Sequence, residues 1–161
     1  MQSTSSAQQQ GEAAISEVIH GACLCGEVTF EVQPSYQFGP GLAMGMCHCT
    51  RCQRWTGAGG APVVVVAPAH FKVTKGQEFL AHYRGEGFAV RTFCRRCGSG
   101  LYTDSGTTYY VSAGVLYDLK LTTAFHIQIA HKAAWDEIGG DAPQFPELPT
   151  APTNGQHEET R

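Results

Sequence analysis

The stretch MCHCTRC, residues 46–52, places Cys47, Cys49 and Cys52 within six residues of one another. Thiolates this close together in a chain are typical of a metal site, and a closed tetrahedral zinc site needs four protein ligands. This motif supplies only three. Either a ligand from elsewhere in the chain completes the site, or its fourth position stays open to water or substrate, as in catalytic zinc sites.

The remaining cysteines argue for a reduced, metal-binding protein. The chain of 161 residues has seven cysteines, and its first residues, MQSTSSAQQQGEAAISE, lack the basic start and apolar core of a signal peptide. A secreted disulfide framework is therefore disfavoured, and we expect a cytoplasmic protein. The net charge of −3 gives no electrostatic reason to bind nucleic acid or an anionic membrane. No apolar run is long enough to span a bilayer.

Composition predicts one globular domain between two tails. Hydrophobic residues make up 42% of the chain and charged residues 16%, and 19 glycines indicate many tight turns. Residues 1–17 are polar and rich in Gln and Ser, which predicts a disordered N-terminal tail. Residues 149–161 are polar with few apolar side chains, which predicts a flexible C-terminal tail. We expect residues 18–148 to form a single zinc domain.

Strand patterns dominate the predicted domain. EVTFEV at 27–32 alternates apolar and polar residues, and APVVVVAP at 61–68 is a β-branched run suited to a strand covered on both faces. HFKVTKGQEFLAHY at 70–83 predicts a hairpin that turns at its Lys-Gly pair. Residues 49–56 and 68–71 predict only short helical turns. The expected fold is mainly β, a small antiparallel β domain built around zinc sites.

Two further motifs, CLC and CRRC, carry the other four cysteines: Cys23, Cys25, Cys94 and Cys97. Residues i and i+2 of a strand point to the same side, and Cys-x-x-Cys forms a tight knuckle, so each motif can present two thiolates together. All-thiolate ligands favour zinc, with an iron–sulfur cluster as the lesser alternative. Combining CLC with CRRC gives a closed four-cysteine site and uses every cysteine, although spacing alone does not force this pairing. We predict two zinc ions per chain, of which the three-ligand site binds more weakly and can be only partly occupied.

A histidine is the main alternative for the fourth ligand of the second site, because Cys₃His sites are common among structural zincs. His48 lies inside the motif, but an extended chain would point it away from its two cysteine neighbours. His82 and His126 lie in strand-like segments and remain candidates to reach the site from elsewhere.

The cysteine motifs together resemble those of a known family. GACLCGEVTFEV at 21–32, CHCTRCQRWTG at 47–57 and FCRRCGSGLY at 93–102, in this order, are similar to the glutathione-dependent formaldehyde-activating enzyme family, which is related to centromere protein V. FHIQIAHKAAWDEI at 125–138 resembles that family's C-terminal segment. The resemblance implies an Mss4-like fold of the β-tent type with two zinc ions. It implies that the structural zinc is held by Cys23, Cys25, Cys94 and Cys97, and the catalytic zinc by Cys47, Cys49 and Cys52.

The family's chemistry implies a zinc-dependent carbon–sulfur lyase-like activity on a glutathione or other thiol adduct, such as S-hydroxymethylglutathione formed from formaldehyde and glutathione. Glutathione, the expected co-substrate, carries two carboxylates. Arg51 and Arg54 are the candidates to bind them, with Trp55 beside the pocket. The alternatives are a non-catalytic, zinc-stabilised binding module, or an enzyme of another small-molecule pathway that uses the same open zinc. The sequence leaves the oligomeric state undetermined.

Overall fold

The computed structural model of the chain describes residues 18–33, 44–85, 87, 89–117 and 122–148. The two predicted tails lie outside these residues. The strands are β1 Ile19–Ala22, β2 Thr29–Val32, β3 Met44–Cys47, β4 Ala61–Val66, β5 Phe71–Lys75, β6 Leu80–Arg84, β7 Val90–Cys94, β8 Gly100–Asp104, β9 Tyr109–Ser112 and β10 Thr123–Ile127. The helix α1 spans Thr50–Thr56, and 3₁₀ turns lie at Pro68–His70, Gln77–Phe79, Ala113–Val115 and Ile129–His131.

The strands form two sheets, which confirms the predicted mainly β fold. One sheet has three strands in the order β1-β2-β5, and the other has seven in the order β10-β3-β4-β9-β8-β7-β6. Neighbouring strands are antiparallel with one exception, since β10 runs parallel to β3. A parallel pair needs a long crossover connection, so it joins segments that are far apart in the chain.

The hydrophobic core lies between the two sheets and contains residues of both. On β2 and the turn before it, Val28, Phe30 and Val32 are buried, as the alternation in EVTFEV predicts. On β4 the consecutive residues Val64–Val66 are all buried, so this strand is covered on both faces. Burying each of these side chains stabilises the fold by roughly 1.5–3 kcal/mol.

The predicted hairpin at 70–83 is wrong. Its two halves, β5 and β6, belong to different sheets: β5 pairs with β2, and β6 pairs with β7. Gly76, between them, has φ +78°, and a Cβ there would collide with the backbone of Glu27. The chain therefore crosses from one sheet to the other at the Lys-Gly pair. A local pattern predicts two strands and a turn, but it does not determine their partners.

The short helix α1 follows β3 directly, in agreement with the prediction of helical turns at 49–56. Cys49 is its N-cap, and the Cys49 sulfur accepts a hydrogen bond from the N–H of Cys52. Gly57 ends the helix with φ +68°, the left-handed conformation that glycine adopts readily, and its N–H bonds to the carbonyl of Gln53. The three-cysteine motif therefore runs from the end of a strand into the first turn of a helix.

Two candidate metal centres and an arginine-lined cavity

The CLC and CRRC motifs meet in one cluster. The sulfurs of Cys23, Cys25, Cys94 and Cys97 all lie within 4.8 Å of one another. The Sγ atoms of Cys23 and Cys25 are 3.5 Å apart, and those of Cys25 and Cys94 are 3.9 Å apart. Sulfurs at the corners of a tetrahedron around zinc, at about 2.3 Å from it, would be separated by roughly 3.8 Å. The geometry therefore fits a four-coordinate zinc, and the ligand role of these cysteines stays a prediction.

Hydrogen bonds prepare this cluster for a cation. The N–H of Val28 donates to the Cys23 sulfur at 3.3 Å, and the Ser99 hydroxyl lies 3.3 Å from the Cys97 sulfur. Burial raises the pKa of Cys97, but hydrogen bonds with the Ser99 hydroxyl and backbone outweigh it and lower that pKa to about 5. A pKa in this range favours the thiolate, the form that ligates metals.

The four-cysteine cluster also connects the two sheets. Cys23 and Cys25 follow β1 of the three-stranded sheet, whereas Cys94 ends β7 of the seven-stranded sheet. Cys23 and Cys94 are buried within the hydrophobic core cluster itself. A metal at this point would link the two layers of the fold, which is the position of a structural ion.

The three-cysteine motif forms a second cluster. The sulfurs of Cys47, Cys49 and Cys52 lie within 4.8 Å of one another, and all three residues are half-buried. Hydrogen bonds from the other two thiols lower the pKa of Cys49 to about 2, while the same interactions raise the pKa of Cys52. The three thiols therefore interact directly with one another, as the donors of one metal site would. Among the described residues no histidine or carboxylate joins this cluster.

The candidate histidine ligands lie elsewhere. His82 is on β6, at the far edge of the seven-stranded sheet from β3, and its Nδ1 lies 3.0 Å from Oγ1 of Thr92. His48 is buried and does not belong to the cluster of cysteine sulfurs, and its Nε2 lies 2.9 Å from Nδ1 of His126. The described part of the chain therefore does not support the closed Cys₃His alternative.

His48 belongs instead to a buried hydrogen-bond chain that the sequence did not predict. Its Nδ1 lies 3.0 Å from Oδ2 of Asp136. A carboxylate only accepts hydrogen bonds, so Nδ1 of His48 carries the hydrogen, and in the neutral imidazole Nε2 accepts one from Nδ1 of His126. Burial lowers the pKa of His126, and the neighbouring His48 lowers it further, so the His126 ring favours its neutral form. We name this chain, Asp136–His48–His126, the carboxylate–histidine chain.

Further contacts fix the loop that carries the three cysteines. Gln53 donates from Nε2 to the carbonyls of His48 and His131, at 2.6 and 2.8 Å. The N–H of His48 donates to the carbonyl of Ile127 on β10 at 3.0 Å. The segment that follows β3 is thus held by the C-terminal part of the described chain. Spacing in the sequence gives no signal of these contacts, because the residues are brought together only by the β3–β10 pair.

Two glycines after α1 permit this close packing. A Cβ on Gly59 would lie 2.5 Å from Cγ of Asp136, and one on Gly60 would lie 2.9 Å from the carbonyl oxygen of Cys47. Both distances are shorter than real Cβ contacts allow. The polypeptide backbone can therefore pass this close to the carboxylate–histidine chain only because glycine occupies both positions.

A cavity of about 490 Å³ opens beside α1, and its lining residues include the three predicted substrate contacts. Arg51, Arg54 and Trp55 lie at positions i, i+3 and i+4 of the helix and therefore share one face. The lining residues are Arg51, Arg54, Trp55, Tyr83, Gly85 and Arg91. Arg91 and Tyr83, from β7 and β6, were not predicted.

Trp55 both packs against the fold and forms a wall of the cavity. Its ring meets Phe93 edge-on at a centroid distance of 6.0 Å. The Cζ of Arg91 lies 5.5 Å from the Trp55 ring centroid, which is a cation–π contact. A Cβ on Gly100 would lie 2.9 Å from the indole, so the β8 backbone supports the ring from one side.

Fold and site together define a β-rich domain with two cysteine clusters that could hold metal ions. The sequence profile of the family described as glutathione-dependent formaldehyde-activating enzyme matches residues 18–131. The chain therefore belongs to this family, and the predicted resemblance is confirmed.

The chain is also similar to individual proteins. It is 25% identical over 109 residues to an uncharacterized lyase of Schizosaccharomyces pombe, a match that covers 64% of this chain and 72% of that protein. A Rhodobacter sphaeroides protein of known crystal structure matches with a TM-score of 0.54 and 23% identity, over 78% of this chain and 98% of that chain. This second likeness supports the fold. Within the described residues, no helix has the length and apolar character needed to cross a membrane.

Proposed function

We propose that this protein is a zinc-dependent, carbon–sulfur lyase-like enzyme that acts on a thiol adduct of glutathione. The observation that carries the proposal is the three-cysteine cluster, which no other described histidine or carboxylate completes. Membership in the family and the similarity to a lyase support it. The proposed reaction joins the glutathione sulfur to the carbon of formaldehyde, with the thiol proton ending on the aldehyde oxygen, or runs in reverse.

The cysteines have separate roles in this proposal. The four-cysteine cluster would hold a structural zinc between the two sheets, and Cys47, Cys49 and Cys52 would hold the catalytic zinc. When bound there, zinc supplies a positive charge that lowers the pKa of a thiol at its fourth position. The carboxylate–histidine chain and Gln53 keep the three sulfurs in place. Arg51, Arg54 and Trp55 contact the substrate from the adjoining cavity.

Calorimetry tests the proposal directly. Protein shown to hold two zinc ions per chain is titrated with glutathione and, separately, with S-methylglutathione, whose sulfur cannot become a thiolate. We expect saturable binding of glutathione that is much weaker for the methylated compound, followed by consumption of formaldehyde in the presence of glutathione. Absence of heat from both ligands would remove glutathione as the substrate and favour a binding module.

A variant tests the role of the metal. Cys52→Ser should lose one zinc per chain and the formaldehyde-consuming activity together, while Thr50→Ala, an exposed change on the same helix, should lose neither. A Cys52→Ser protein that lacks the second zinc but keeps its activity would contradict the proposed mechanism.

A further inference from the structure

We propose that Arg91, which lines the cavity beside α1, is a specificity-determining residue that binds a carboxylate of the substrate. This inference rests on the proposed function, since it assigns a further residue of the same site. It predicts that removal of the Arg91 guanidinium weakens the binding of glutathione more than that of a derivative without charged carboxylates.

The lining of the cavity is positively charged. Three of its lining residues are arginines, and none of the lining residues is acidic. In the part of the chain that the structure describes, the ion pairs use His20, His48, Lys75 and Arg96 as their basic partners. The cavity arginines thus have no carboxylate within ion-pair distance there. Guanidinium groups bind carboxylates through two parallel hydrogen bonds, so an anionic ligand complements this lining.

The two walls of the cavity present separate cations. Arg51 and Arg54 project from one face of α1, while Arg91 comes from β7, where it pairs across the sheet with Tyr83 of β6. A ligand with two carboxylates can place one against each wall. A single carboxylate would leave one wall without a counter-charge.

The environment of Arg91 favours a role in ligand binding. Its guanidinium is placed by the cation–π contact with Trp55, and its Nε is buried without a hydrogen-bond partner. Leaving a buried donor unpaired destabilises a fold. A ligand carboxylate in the cavity would give the Arg91 guanidinium a charged partner that the described residues do not supply.

The aromatic residues suit the uncharged part of such a ligand. Tyr83 lies near the end of β6 and is exposed, with 57% of its surface accessible. Together with Trp55 it gives the cavity two apolar surfaces between the arginines. The exposed ring of Tyr83 could pack against the uncharged part of a ligand in the cavity.

The cavity is close enough to the three-cysteine cluster for one ligand to use both. Arg51 directly precedes Cys52 in α1, and Arg54 and Trp55 lie within the next turn, a rise of about 5.4 Å. A thiol whose carboxylates occupy the cavity therefore has its sulfur within the length of a tripeptide from the cluster.

The test compares ligands whose carboxyl groups are charged or esterified. Zinc-loaded protein is titrated with glutathione and with glutathione diethyl ester, whose carboxylates are neutral, using the wild type, Arg91→Gln and Lys72→Gln. Lys72, exposed on β5, provides a control that loses the same charge away from the cavity. We expect Arg91→Gln to weaken glutathione binding about tenfold or more, since a charge-assisted hydrogen bond is lost, and to change ester binding little. Lys72→Gln should resemble the wild type.

Equal affinities of the wild type for glutathione and its diethyl ester would overturn the inference, and this comparison does not depend on how any variant folds. So would an Arg91→Gln protein that binds glutathione as tightly as Lys72→Gln. Arg91→Lys, which keeps the charge but not the planar fork, should bind glutathione with intermediate affinity.

Cobalt substitution separates this inference from the proposed function. The absorption spectrum of Co²⁺ in the three-cysteine cluster reports a thiolate at the metal, independently of the carboxylates. If glutathione and its ester change that spectrum with equal affinity, the inference is wrong and the proposed function stands. If glutathione binding depends on Arg91 but leaves the spectrum unchanged and no formaldehyde is consumed, the anionic site is supported and the proposed function fails.

Discussion

The carboxylate–histidine chain should determine how tightly the three-cysteine cluster holds its metal. His48 lies between two of the predicted ligands and is only 3% exposed, so its orientation fixes the loop that carries them. Asp136 accepts a hydrogen bond from it at 3.0 Å. Replacing Asp136 with Ala removes this acceptor and leaves a buried N–H without a partner. We expect Asp136→Ala to weaken metal binding at this cluster alone.

The size of the effect follows from the burial of the two partners. A hydrogen bond to a charged group contributes about 1.5–3 kcal/mol. The side chain of Asp136 is 21% exposed, so water can partly replace it, and the lower end of that range applies. About 1.4 kcal/mol corresponds to a factor of ten in affinity, so we expect roughly tenfold weaker metal retention. Changes in residues that orient metal ligands typically cost about 10–100-fold.

The four-cysteine cluster provides an internal reference for the measurement. Wild type, Asp136→Ala, Asp136→Asn and the exposed control Asp141→Ala are loaded with two zinc ions and dialysed against increasing chelator concentrations. Asp136→Ala should release one zinc at about tenfold lower chelator, and Asp136→Asn, which keeps an acceptor oxygen, should be less affected. Simultaneous release of both ions, or release that matches the control, would refute the reasoning.

Three further predictions concern the surroundings of the two clusters. Gly59→Ala should displace the Asp136 side chain and weaken zinc retention as much as Asp136→Ala does in the same dialysis. Gly139→Ala, whose Cβ would meet nothing within 4 Å, should leave zinc retention unchanged. Because the pKa of His126 is lower in the folded state, its contribution to stability is present above the unfolded pKa of about 6.5 and declines as pH falls below it. Between pH 7 and pH 5.5, the free energy of unfolding measured in urea should therefore decrease more for the wild type than for His126→Gln. Equal decreases for the two proteins would contradict this. Cys97→Ser should lower the thermal midpoint by about 10 °C or more, because the binding free energy of a structural metal contributes to folding, and an unchanged melting curve would argue against a structural ion.

The parts of the fold that the sequence predicted are those encoded locally. The alternation around Phe30 predicted a strand and the side it buries, because side chains of a strand alternate with a period of two. The β-branched run predicted that β4 is a strand covered on both faces. The separation of β5 and β6 into two sheets was not predictable in this way. Both segments have strand patterns and the turn at Gly76 is real, but the choice of partner depends on β2 and β7, which lie elsewhere in the chain.

In the candidate site, too, the residues within short sequence motifs were predicted and those from distant segments were not. The cysteines were found because ligands cluster in short motifs, and Arg51, Arg54 and Trp55 because they adjoin one. Asp136 and Arg91 have no such spacing relation to the motif, and each becomes significant only where the fold brings it. For Asp136 the cause is the parallel β3–β10 pair, whose long crossover returns the C-terminal part of the domain to the loop of the three cysteines. The predicted metal ligands thus lie within one short motif, while the residues proposed to affect metal affinity and substrate choice come from segments far away in the sequence. Substitutions at Asp136 and Arg91 should therefore separate metal retention from carboxylate binding, although both residues act beside the same three cysteines.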